Sequence, residues 1–156
     1  DLEDGVAPDA KDRARSNILQ ALEAGGYGLR EVGVRINGVG TEEHEQDIKA
    51  IATSGADMIV VPKVDSPKTV AGVAELMASA GAPEDMQIWC MVETAQGVLN
   101  ANEIAAAHSR VGALLIGSAD LTKDLRAQHT SDRQPLQTSI QLCILAARAN
   151  NLTILD

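Results

Sequence analysis

Aromatic side chains are nearly absent: the 156 residues include one Trp, one Tyr and no Phe. That removes the stacking platforms on which single-stranded nucleic acid is held. It also leaves the core to Val, Ile, Leu, Met and Ala, a filling that suits barrel interiors and helix–sheet packing. An excess of basic charge is missing too. The formal net charge is −9, with 13 Lys and Arg against 22 Asp and Glu, so no cationic field is available for nucleic acid or an anionic membrane. A small anionic substrate stays compatible, because local basic residues or a bound cation can reverse the sign at one site. No apolar run approaches the roughly 20 residues of a membrane span, and the opening residues do not read as a signal peptide. Cys90 and Cys143 lack CxxC spacing and read as two buried free thiols of a cytoplasmic protein.

What is present is a regular alternation. Strand-like runs cover 31–37 (EVGVRIN), 56–64 (ADMIVVPKV), 86–94 (MQIWCMVET), 111–120 (VGALLIGSAD) and 152–156 (LTILD). They are dense in Val, Ile, Leu and Met, as strands covered on both faces are. Helices are expected over 9–24, 41–53, 66–80, 95–108 and 134–150. In the first, Ala14, Ile18, Leu19 and Leu22 share one face. Thr41 is positioned to cap the second, and Ser66-Pro67 gives the third an N-cap followed by proline at the first helical position. Gly25-Gly26, Gly55 and Gly81 fall where helices should stop.

The polar residues near the strand ends, Arg35, Lys63, Glu93, Asp120 and Asp156, recur at a period of about 30, the length of one βα unit. Two architectures share that period: a doubly wound domain of five strands, or an incomplete (β/α)₈ TIM barrel. The second is favoured. Asp1–Asp4 resembles the tail of another strand and Leu155-Asp156 ends on one, giving about six βα units of the eight in a closed barrel. Residues 1–156 are accordingly expected to be one partial TIM-barrel catalytic domain, with the first strand and the C-terminal part missing.

In such a barrel the C-terminal ends of the strands converge on one mouth, where active sites lie. Glu3, Asp4, Arg35, Asn37, Lys63, Glu93, Asp120 and Asp156 all stand at those ends. Glu93 and Asp120 end consecutive strands, and paired carboxylates facing a pocket either share a proton or bind a divalent cation. Mg²⁺ suits them, since it takes one or two protein carboxylates and leaves positions for substrate oxygens. His44, His108 and His129 fall on helices or loops and read as surface residues, which disfavours zinc. Arg35 offers a fixed fork for a carboxylate or carbonyl; its structural alternative is a salt bridge to Glu3 or Asp4. Lys63 can bond to Glu93 or Asp120, and so many carboxylates disfavour Schiff-base chemistry by keeping it protonated. Gly117–Asp120 forms a small-residue turn. The amides of Ala95-Gln96-Gly97, opening the helix after Glu93, are placed to meet an anion.

DLEDGVAPDAKDRAR at 1–15, VRIN at 34–37, MIVVPKV at 58–64, MVETAQGVLNANEIA at 91–105 and ALLIGSADLTKDL at 113–125 together resemble the citrate lyase beta-subunit-like branch of the HpcH/HpaI aldolase superfamily. The resemblance implies a (β/α)₈ barrel, trimeric or hexameric, that handles acyl-CoA thioesters. By the same resemblance Glu93 and Asp120 are Mg²⁺ ligands and Arg35 binds substrate oxygens, while Glu3 and Asp4 order the metal's waters. The implied reaction cleaves citryl-, malyl- or citramalyl-CoA into acetyl-CoA and an α-keto acid. A keto-acid aldolase, a malyl-CoA thioesterase and a non-catalytic barrel subunit are the alternatives.

Overall fold

Five parallel strands pair in the order in which they occur in the chain, β1-β2-β3-β4-β5, in a computed structural model that describes all 156 residues. They are β1 (Gly33–Arg35), β2 (Met58–Val61), β3 (Gln87–Val92), β4 (Val111–Ile116) and β5 (Thr153–Leu155). A doubly wound sheet reverses its order at a switch point. This one never does, so the architecture is the arc of a (β/α) barrel. The sixth strand end expected at Asp1–Asp4 is not a strand, although its backbone joins the edge of β1 through Leu2 N–H to Arg35 O at 2.8 Å.

The intervening helices are α1 (Lys11–Ala24), α2 (His44–Ile51), α3 (Pro67–Ser79), α4 (Ala95–Leu99), α5 (Ala101–Ala105), α6 (Ser118–Asp124) and α7 (Gln137–Ala149). Ser66 caps α3 as expected, accepting from Thr69 N–H, with Pro67 opening the helix. Gly25 and Gly81 follow α1 and α3 at φ 63° and 81°. Three expectations fail locally. Thr41 does not cap α2: its hydroxyl donates to Gly38 O, and the helix starts three residues later with no side-chain cap. The helix over 95–108 is broken at Asn100, whose φ −97° and ψ 7° leave the helical basin while its amide donates to Asp65 O. The run over 111–120 stops being a strand at Ile116 and turns at Gly117 into α6, stabilised where Thr122 Oγ1 donates to Ser118 O at 2.7 Å.

The core is aliphatic. Ile59 and Val61 of β2, Ile88, Cys90 and Val92 of β3, and Leu114 and Ile116 of β4 pack beneath Ile48, Val70, Val73, Met77, Ile104 and Cys143 of the helices. Each such aliphatic chain contributes about 1.5–3 kcal/mol when fully buried. Ala14, Ile18, Leu19 and Leu22 of α1 pack against this core on the expected face. Within these 156 residues the two sheet faces are buried unequally. Along β3 the helix-facing residues are buried while Gln87, Trp89 and Met91 are half-buried, and Val60 and Leu115 are likewise half-buried. Helices coat the outer face of the arc, and the buried side chains of the strands pack against them. No helix is long and apolar enough to cross a membrane.

Candidate active site

The turn after β2 is the centre of the site. Lys63 adopts φ 52°, a left-handed backbone conformation rare for a residue with a side chain and often kept where geometry serves function. That turn aims its backbone N–H at Glu93 Oε1, 2.8 Å away, just beyond β3. The same residue's ammonium bonds Glu3 Oε1 at 2.8 Å and lies 3.4 Å from Asp120 Oδ2 and 3.9 Å from Asp4 Oδ2. Those carboxylates, with hydrogen bonding to Glu3 first, raise the Lys63 pKa further above its ordinary range. Lys63 is therefore a permanent cation here and a poor imine former.

Glu93 is buried, and desolvation raises its pKa. The charges of Asp120 and Glu3 push in the same direction, opposed by the hydrogen bond from Lys63 N–H. The carboxylate is also fixed by shape. A Cβ built on Gly117 would fall 2.1 Å from Glu93 Oε2, so only glycine lets the β4–α6 turn approach this closely. Gly117→Ala is expected to displace Glu93 and lower stability by about 1–3 kcal/mol. A urea unfolding midpoint unchanged from wild type would refute that contact.

Arg35, at the end of β1, is already engaged. Its Nε and Nη2 grip the Asp1 carboxylate at 2.8 and 2.7 Å, and Nη1 stands 2.8 Å from Glu3 Oε2 as an ion pair too poorly angled for a hydrogen bond. The salt bridge to Glu3 considered from the sequence is thus present. The second partner is Asp1 rather than Asp4. Asp120 stands in the first turn of α6 rather than at a strand end, yet it still reaches Lys63.

Three other sequence expectations are corrected. Asp156 is bound by Arg133 on the approach to α7 and does not join the cluster. The Ala95-Gln96-Gly97 amides meet the chain's own oxygens: Ala95 N–H donates to Asp124 Oδ2 at 2.7 Å and Gly97 N–H to Thr94 Oγ1 at 3.0 Å. Their anion is internal. His44 is buried, with Nδ1 2.9 Å from Asn37 O, whereas His108 and His129 are exposed.

Sequence reasoning missed the support beneath Glu3. Lys11 Nζ donates to Leu2 O, Glu3 O and Asn37 Oδ1 at 2.6–2.7 Å. Asn37 in turn gives both its backbone N–H and its Nδ2 to Asp47 Oδ2, and Arg15 Nε bonds Asp47 Oδ1 at 2.9 Å. Lys11 and Arg15 stand one helical turn apart on α1, and that i,i+4 pair of cations was the available signal. Glu3, Asp4, Lys11, Asn37, Lys63 and Asp65 are among the residues lining an open cavity of about 440 Å³ above this network. Arg35, Glu93 and Asp120 do not line that cavity, and no three acidic, His or Cys side chains stand together as a ready-made metal cage.

Comparison with known proteins identifies relatives of the whole chain. A (3S)-malyl-CoA thioesterase of Cereibacter sphaeroides is 47% identical over 156 residues, covering 100% of this chain and 52% of the relative. Citrate lyase subunit beta of Leuconostoc mesenteroides subsp. cremoris is 35% identical over 161 residues, covering 100% and 53%. The chain spans about half the length of these curated relatives. The citrate lyase beta subunit of Mycobacterium tuberculosis, solved with oxaloacetate and magnesium, superposes with a TM-score of 0.78 at 29% identity, covering 99% of this chain and 65% of that one. The family model described as HpcH/HpaI aldolase/citrate lyase matches residues 1–156. With sequential parallel strands, collinear motifs and the full length matched, this chain belongs to the HpcH/HpaI aldolase/citrate lyase family.

Proposed function

We propose that the protein is a Mg²⁺-dependent carbon–carbon lyase that cleaves a 3-hydroxy acyl-CoA, of the citryl-, malyl- or citramalyl-CoA type, into acetyl-CoA and an α-keto acid. The observation that carries this reading is the convergence on Lys63 of Glu3, Glu93 and Asp120, with Arg35 one ion pair away. No cage of three or more ligands is assembled here, but the donor chemistry suits Mg²⁺, which needs only one or two protein carboxylates. Glu3, Asp4, Glu93 and Asp120 outnumber Lys63 and Arg35, every donor is a carboxylate oxygen, and no histidine contributes. Glu93 and Asp120 would hold Mg²⁺, one carboxylate each, and Glu3 and Asp4 would order its waters. Bound there, the ion would act as a Lewis acid on the hydroxy-acid oxygens of the substrate.

The chain's own residues supply the rest. Arg35 already binds a carboxylate through two of its nitrogens, that of Asp1, so its fork is shaped for a substrate carboxylate exchanging into the same place. Glu3, almost wholly buried and held by Arg35 and Lys63, keeps that fork oriented. In the reaction the carbinol hydroxyl loses its proton and becomes the keto oxygen. The bond to the acyl α-carbon breaks, its electron pair passes to the acetyl-CoA enolate, and that enolate takes up a proton. Arg35 would stabilise the negative charge that develops on oxygen, as an oxyanion hole does.

The reading includes a homo-oligomer, trimer or hexamer by the family resemblance, in the cytoplasm. Support for association is an exposed apolar strip along α4 and α7, where Leu99 and Leu145 are 75% and 68% exposed. Thioester hydrolysis is the second reading, favoured by the name carried by the 47% identical relative. One experiment separates them: the whole protein is incubated with Mg²⁺ and citryl-, malyl- and citramalyl-CoA. Release of a keto acid with acetyl-CoA is the expected outcome. Free CoA with the intact hydroxy acid would establish the thioesterase instead, and no turnover of any substrate would favour a non-catalytic subunit.

A further inference from the structure

Lys63 meets all four carboxylates of the cluster, by two different routes. Its backbone N–H fixes Glu93, while its ammonium sits within 4 Å of Glu3, Asp120 and Asp4. The left-handed turn separates those routes, sending the N–H one way and the side chain the other. Glycine would adopt the turn without strain and donate the same N–H. It is the ammonium that a glycine would lack. On its far side Glu3 is anchored independently by Arg35 at 2.8 Å, so neutralising Lys63 leaves Glu3 in place.

We propose that Lys63, by the fixed positive charge it holds against Glu3 and Asp120, holds down the affinity of the Glu93–Asp120 pair for a divalent cation. This rests on the metal-dependent reading above and adds to it a residue that touches the ligands rather than the substrate. The direction follows from Coulomb repulsion between the ammonium and any cation bound by carboxylates it contacts. The side chain is 45% exposed, and solvent screening limits the effect to about one order of magnitude in affinity.

Calorimetric titration of the whole protein with MgCl₂, at neutral pH and fixed ionic strength, reads the effect without any substrate. Lys63→Met and Lys63→Gln are expected to bind Mg²⁺ about tenfold more tightly than wild type, while Lys63→Arg stays within about threefold. Two neutral variants are used because both keep the backbone N–H and either one alone could perturb packing. If both bind as wild type does, or more weakly, the role given to Lys63 is overturned and the lyase reading survives. If wild type takes up no Mg²⁺ at millimolar concentration, the metal reading fails and this proposal goes with it.

Discussion

Replacing Glu93 or Asp120 with alanine is expected to abolish magnesium-dependent turnover, a loss of at least about 10²–10³ in rate. Two causes combine at Glu93. The substitution removes a proposed cation ligand, and it leaves Lys63 N–H without the acceptor that fixes the strained turn. At Asp120 only the first cause operates, because its carboxylate contacts the Lys63 side chain and accepts no backbone bond. Glu93→Gln keeps the shape and an acceptor for Lys63 N–H, so it isolates the charge. Turnover measured across a Mg²⁺ titration checks the assignment. Retained activity with metal bound in either alanine variant would refute it.

Asp47→Ala is expected to lower stability by about 3–5 kcal/mol, the range for breaking a buried ion pair from one side. Asp47 is fully buried and accepts from Asn37 N–H, Asn37 Nδ2 and Arg15 Nε. Its loss leaves an arginine whose side chain is only 12% exposed with the solvent-exposed Asp12 as its one carboxylate partner. The nearby Asp12–Arg15 pair has a 2.7 Å separation, but Asp12 is 93% exposed. Removing Asp12 should therefore change stability by no more than about 1 kcal/mol. Urea denaturation of both variants makes the comparison, and an Asp47→Ala protein within about 1 kcal/mol of wild type would overturn the account. The same network ends on Lys11 and the Glu3 carbonyl, so damage at Asp47 should also loosen the turn that presents Glu3.

The contrast between these residues shows where sequence reading succeeds. Apolar density locates all five strands, because each carries aliphatic side chains where it packs against the helices and its neighbours. Glu93 and Lys63 follow from their places just beyond β3 and β2. The boundary of β4 is not legible, since GSAD continues the register of an apolar run and nothing local reveals that Gly117 turns the chain. Asp120 is nonetheless legible, because the first turn of the helix beyond the strand still opens on the same mouth. Asp47 was illegible for a different reason. Its partners are 10 and 32 residues away along the chain, and a buried carboxylate at a helical position looks like any solvated one until the fold pairs it. The anion expected at Ala95 was right in chemistry and wrong in origin: the carboxylate is that of Asp124, 29 residues later.

The unbroken strand order has a consequence for how the molecule assembles. Each ladder joins strands consecutive in the chain, across one or two α-helices, so the entropic penalty of closing each loop is similar from one step to the next. No strand has to wait for a distant one before it can dock. The sheet can therefore grow by successive additions, starting from the ladder between the six-residue strands β3 and β4, the longest of the set.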